Sequence, residues 1–66
     1  MQIMLNGDPH IVADGATIAS LVEQLDLAGK RLAVEVNEEV VPRSRHGEHA
    51  LESGDQVEIV HAIGGG

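Results

Sequence analysis

The chain contains no Phe, Tyr, Trp or Cys, so any core it builds must come from aliphatic side chains alone. At 66 residues it makes a single domain, and a domain of that size buries only about 60% of the surface its unfolded chain exposes. Neither a disulfide nor a cysteine-ligated metal is available to staple it. Five Ile, eight Val and six Leu must suffice. They are enough for one layer of helix on one sheet, and too few for a core plus an enclosed ligand pocket, which takes ~300 Å³ or more. A chain with its own enclosed active site is therefore disfavoured.

Charge narrows the possibilities further. Eleven acidic residues against four basic ones give a formal charge of −7. Nucleic-acid binding works by neutralising phosphates with Lys and Arg, and single strands are held on aromatic platforms; both are scarce or missing. An acidic surface favours a basic protein partner and also keeps a small protein soluble. No apolar run approaches the ~20 residues of a membrane span. The stretch Met1 to His10 lacks the basic region and long apolar run of a secretion signal, so a cytoplasmic location without membrane attachment is expected.

Periodicity divides the chain into β-β-α-β-β-β. Gln2 to Asn6 alternates, with Ile3 and Leu5 on one face, and reads as a half-buried strand. Gly7-Asp8-Pro9 is turn chemistry, and His10 to Ala13 returns as a second strand. Thr17 is placed to cap a helix whose apolar stripe is Ile18, Leu21, Val22 and Leu25, at i, i+3, i+4 and i+7. Gly29 is expected to end that helix in the left-handed conformation, with Lys30 and Arg31 near its negative pole. Arg31 to Val36 alternates as a third strand, Asn37-Glu38-Glu39 turns, and Val40-Val41 makes a short fourth strand closed by Pro42 at an edge or end. Arg43 to Ser53 has no clear period and reads as a loop with at most one helical turn, around Leu51. Gly54-Asp55 then turns into a last strand running from Gln56 towards Ile63. The fold class is α+β, with a domain over residues 1–63 and a flexible glycine tail over 64–66.

The tail is the most informative segment. Three glycines, Gly64, Gly65 and Gly66, follow directly on a strong apolar strand. They carry no side chains and accept backbone angles barred to other residues. Extended, they reach ~10 Å, far enough to thread a narrow channel and present a terminal carboxylate inside another protein. A carboxylate is a poor electrophile until a mixed anhydride with AMP gives it a leaving group. A second feature lies on the sheet. If Ile3, Leu5, Val57 and Ile59 face the helix, then Met4, Val60 and Ala62 face outward by the period of two. With the first and last strands adjacent, these residues and Ile63 would make a partner-docking patch rimmed by Gln2, Gln56 and Glu58.

Other side chains offer little chemistry. His46 and His49 stand at i, i+3 beside Glu48 and Glu52, but a structural zinc site usually wants four protein ligands, so a solvent-facing loop is the better reading and no metal is expected. The carboxylates form no acid–base pair, no Ser sits in a nucleophile-elbow context, and no catalytic residue is assigned.

Three stretches together are specific: Asn37-Glu38-Glu39-Val40-Val41-Pro42-Arg43, Gly54-Asp55-Gln56-Val57-Glu58-Ile59-Val60, and Ala62-Ile63-Gly64-Gly65-Gly66. Through them the chain resembles the ThiS family, the sulfur carrier proteins of thiamin biosynthesis. The resemblance implies a ubiquitin-like β-grasp fold, a mixed sheet of four to five strands packed on one helix. It implies that an E1-like adenylyltransferase consumes ATP and Mg²⁺ to adenylate Gly66. Sulfur from a cysteine desulfurase, or another donor, then yields a thiocarboxylate, which thiazole synthase uses. Gly64 and Gly65 are then spacers, and the chain is a cosubstrate rather than an enzyme, binding no cofactor of its own. The end at Gly66 would leave nothing for a protease to remove. Two alternatives remain open at this stage: the small sulfur-carrier subunit of molybdopterin synthase, and a non-covalent ubiquitin-like interaction module.

Overall fold

The computed structural model describes residues 1–61, and in them the expected order appears as five strands and one helix. The strands are β1 (Gln2–Leu5), β2 (Asp8–Ile11), β3 (Leu32–Val36), β4 (Glu39–Val41) and β5 (Gln56–His61); the helix α1 spans Ile18–Gln24. They form one mixed sheet in the order β2-β1-β5-β3-β4. β1 and β5 run parallel, and the other neighbours are antiparallel. The first and last strands are thus adjacent at the centre of the sheet.

The core is wholly aliphatic. Ile3, Val12, Ile18, Leu21, Val22, Val34, Val36, Val41, Leu51, Val57 and Ile59 are buried together between helix and sheet, with Leu5, Leu25, Leu27 and Leu32 half-buried against them. Burying a side chain of this kind is worth about 1.5–3 kcal/mol. A seven-residue helix is not stable alone, so Ile18, Leu21 and Val22 hold α1 through tertiary packing.

The helix start follows the sequence. Thr17 is the N-cap: its Oγ1 accepts from the Ser20 amide at 3.2 Å, and Ser20 Oγ accepts from the Thr17 amide at 2.8 Å. The two remaining first-turn amides go elsewhere. Ile18 donates to the His49 carbonyl at 3.1 Å and Ala19 to the His46 carbonyl at 3.0 Å. The aperiodic segment after β4 is therefore a cap for the helix. Its one helical turn is a 3₁₀ turn at Arg43–Arg45, not around Leu51, which is buried in the core.

The helix end departs from expectation. Gly29 is left-handed as expected, with φ of 83°, but the helix has already ended at Asp26, which is itself left-handed, with φ of 59°. Its amide bonds to the Glu23 carbonyl and the Leu27 amide to the Val22 carbonyl, both at 2.9 Å. This is a Schellman closure in which Asp replaces glycine and Leu27 packs back onto the core. Gly29 instead shapes the connection beyond, so Lys30 and Arg31 lie outside the last helical turn.

The hairpin turns are also displaced. The first is Asn6-Gly7, with φ of 50° and 86°, and the second is Asn37-Glu38, with φ of 51° and 71°. Both are two-residue turns whose central residues share positive φ, which matches the twist of the strands they join. Asp8 and Pro9 consequently belong to β2, an edge strand where a missing amide donor is tolerated. Glu39 likewise opens β4 rather than closing the turn. Pro42 directly follows β4, at the other sheet edge, as expected.

Asp55 is a polar group among the buried residues. Its Oδ2 accepts from the Glu52 amide at 2.8 Å and its Oδ1 from Asn37 Nδ2 at 3.1 Å. Asp55→Ala removes both acceptors and is expected to cost about 2–3 kcal/mol, read as a lower urea midpoint with an unchanged slope. Glu38 bears a left-handed conformation that costs a side-chain residue about 1–2 kcal/mol, against 0.5–1 kcal/mol of extra chain entropy for glycine. Glu38→Gly should therefore raise stability by about 0.5–1 kcal/mol; a lower melting temperature would contradict that turn geometry.

Candidate functional site

The site is the outgoing end of β5 together with the sheet around it. β5 is gripped on both edges by the asparagines that begin the two hairpin turns. On the β3 side, the Gln56 amide donates to Asn37 Oδ1 at 3.0 Å, and the Asn37 amide donates to the Gln56 carbonyl at 2.8 Å. On the β1 side, the Ile59 amide donates to Asn6 Oδ1 at 2.8 Å, and Asn6 Nδ2 donates to the Ile59 carbonyl at 3.4 Å. β1 itself ends at Leu5, so the Asn6 side chain substitutes for the next strand residue. Beyond Ile59 the remaining pairing is with β3 alone, through Ala33↔Val60 and Leu32↔His61.

Sequence reasoning missed this grip because each contact joins residues remote along the chain, 53 apart for Asn6 and Ile59. The Asn6-Gly7 dipeptide was the available signal. Asn-Gly is the strongest short hairpin cue, and it also places an amide side chain at a strand end.

Of the proposed docking residues, Met4 and Val60 lie within the described chain; Ala62 and Ile63 lie outside it, as do Gly64, Gly65 and Gly66. Register puts Met4 and Val60 on the face away from the helix, as expected, since each alternates with buried neighbours Ile3 and Ile59. They are not contiguous. Met4 is half-buried and sits level with Gln56, while Val60 is paired with Ala33. Between the two rungs lies Glu58, opposite Glu35, with Val40 beside Glu35. Val60 and Val40 are 54% and 67% exposed, and Ile11, paired with Gln2 on β2, is 65% exposed, so the apolar parts of this face lie on its two flanks. Facing carboxylates on adjacent strands are unfavourable, and Glu35 and Glu58 give this surface a negative centre.

An open cleft of about 540 Å³ runs along the same face, lined by Glu35, Glu38 and Glu58 with Gly7, Asn37, Gln56 and Val57. It lies on the surface between the two hairpin turns and is not an enclosed pocket within the core. Two of the four histidines make side-chain hydrogen bonds. His46 Nε2 lies 3.0 Å from the Val41 carbonyl, and His10 Nε2 lies 3.1 Å from Gln24 Oε1. Among the described residues no three His, Asp or Glu side chains converge on a possible metal position, and no helix is long and apolar enough to cross a membrane.

Known proteins align with this chain over the same features. The ThiS family model matches residues 3–66, the glycine end included. The sulfur carrier protein ThiS of Escherichia coli strain K12 is 36% identical over 66 residues, with all of both chains covered. A thiazole synthase of Magnetococcus marinus is 46% identical over all of this chain, which spans 20% of that protein. The crystal structure of ThiS from Geobacter metallireducens superposes with a TM-score of 0.86 at 32% identity, each chain covered completely. Its architecture is the ubiquitin-like β-grasp sheet and helix found here, and the chain belongs to the ThiS family.

Proposed function

We propose that this chain is a sulfur carrier for thiazole formation in thiamin biosynthesis, acting through the carboxylate of Gly66. The observation that carries the reading is the family match itself, which extends through the terminal glycines to residue 66. A partner adenylyltransferase positions the tail against ATP and Mg²⁺. A Gly66 carboxylate oxygen attacks the α-phosphorus, pyrophosphate departs, and an acyl-adenylate forms. A persulfide formed from cysteine by a desulfurase then attacks the acyl carbon through its outer sulfur, AMP leaves and an acyl disulfide forms; a thiol attacks the donor-side sulfur of that bond, takes the donor into a new disulfide and releases the thiocarboxylate. Thiazole synthase takes that sulfur.

The chain contributes reach and fit rather than catalysis. Gly64 and Gly65 let the acyl carbon pass through a channel too narrow for side chains, and the sheet supplies the docking body. Val60, with Met4 on the same face, is the part of that surface within the described residues; Ala62 and Ile63 continue the sequence towards the tail. A chain without cysteine also avoids mixed disulfides with persulfide donors. A cytosolic setting, with ATP at hand, suits this chemistry. The thiazole synthase that contains a segment like this chain supports pairing of carrier and acceptor, since covalent linkage raises their effective concentration.

The test is intact-mass spectrometry after incubation with the adenylyltransferase, ATP, Mg²⁺ and a sulfur source. Full-length chain should exchange one terminal oxygen for sulfur, while a chain lacking Gly65 and Gly66 should not. An unchanged mass with a partner set proven active on its own carrier would count against the proposal. Activity surviving the deletion would favour a non-covalent interaction module.

A further inference from the structure

The four basic residues of this acidic chain are not spread evenly. Lys30 and Arg31 immediately precede Leu32, which pairs with His61 at the outgoing end of β5. Arg43 follows β4 by two positions, and β4 ends at Val41, opposite Val34 in the middle of β3 and running towards its Leu32 end. The Arg43 guanidinium reaches the Lys30 carbonyl, with Nη2 to oxygen of 3.4 Å, which brings the two connections together. Three of the four cations therefore gather near His61, at the outgoing end of β5; Arg45 lies further along, beside Glu48 and His49.

All three are exposed, and none lies within 4.0 Å of a carboxylate among the described residues, where the ion pair present joins the Met1 ammonium to Asp14. Asp26 is the carboxylate on their own connection. The opposite end of β5 is negative. Glu38 and Glu39 follow Asn37, which bonds to Gln56 at the strand's start, and Glu52 packs its backbone against Asp55. Along β5 the cations thus gather beside the outgoing end on the β3 side, and Glu38, Glu39 and Glu52 lie towards the strand's start.

We propose that Lys30, Arg31 and Arg43 form a positive collar that docks against a carboxylate-lined mouth on the enzyme receiving the tail. This rests on the carrier reading above. A net charge of −7 repels an acidic partner from every other direction, so the collar both attracts and orients, turning the tail towards the channel during encounter. A nucleotide is the less fitting occupant. The three cations are exposed on two separate connections and converge on no enclosed polar cavity, and the adjoining sheet face presents Glu35 and Glu58 to any polyphosphate.

The test measures the rate of carrier adenylation against carrier concentration for the full chain at low and high salt. The variants are a triple substitution, Lys30→Gln with Arg31→Gln and Arg43→Gln, its glutamate counterpart, and Glu52→Lys as a control at the far end. The glutamine triple should raise KM ~10-fold at ~50 mM salt with kcat within ~2-fold of wild type, and the gap should close at ~500 mM. The glutamate triple should be worse, and Glu52→Lys should leave KM unchanged. If the glutamate variant does not fold, the glutamine variant, verified by its melting temperature, decides. A wild-type KM in the glutamine triple at low salt overturns the collar while leaving the carrier reading intact. Binding of ATP to the free chain that is lost in the triple overturns it in favour of a nucleotide site. Wild-type chain that is not adenylated at all removes both proposals.

Discussion

Two asparagine side chains hold the central strand of this protein, and the rest of the architecture is arranged around them. Asn6 and Asn37 each begin a two-residue turn in the left-handed conformation, which asparagine tolerates better than most residues. Each then spends its amide group on β5, one on either edge. Every backbone group at the sheet centre must be paired, and strands this short leave gaps that side chains have to fill. The two hairpins are thereby locked to the last strand as well as to themselves. Asp55 extends the lock by accepting from Asn37 and from the turn that leads into β5.

This arrangement explains how so small an aliphatic core can support a carrier. A tail is useful only if the body it hangs from has a fixed shape, so that a partner recognises the body and finds the tail at a known place. Rigidity is concentrated in β5 as far as Ile59, where strand pairing and the Asn6 amide act from both sides. Past that residue Val60 and His61 keep β3 as their one paired neighbour. The same end carries the exposed Val60 and the three clustered cations, and the opposite end carries carboxylates.

Much of the fold was legible in the sequence because it is periodic. The Ile18, Leu21, Val22 stripe and the alternation of Val34 and Val36 or Val57 and Ile59 name their elements and their buried faces directly, and Thr17 announces the helix start. What was hidden is aperiodic. The segment from Arg43 to Ala50 spends two carbonyls, those of His46 and His49, on the first turn of α1, an obligation with no sequence period. Asp26 ends the helix because the Leu27 side chain finds the core from there, and Gly29, the more obvious breaker, stands three residues too late. Met4 and Val60 were placed on the correct face by parity alone, but their separation by Glu58 depends on strand register, which parity does not give. At the site, the glycine tail was visible at once, whereas the asparagine grip and the cation collar needed the topology.

The central claim, that the Asn6 side chain completes the sheet at the exit of β5, is tested most directly by residue-resolved hydrogen exchange on the native protein. The Ile59 amide should be protected to the same degree as the amides of β3, and Asn6→Ala should collapse that protection while leaving β3 protected. An Ile59 amide that exchanges as fast as surface-loop amides in the wild-type chain would contradict the account.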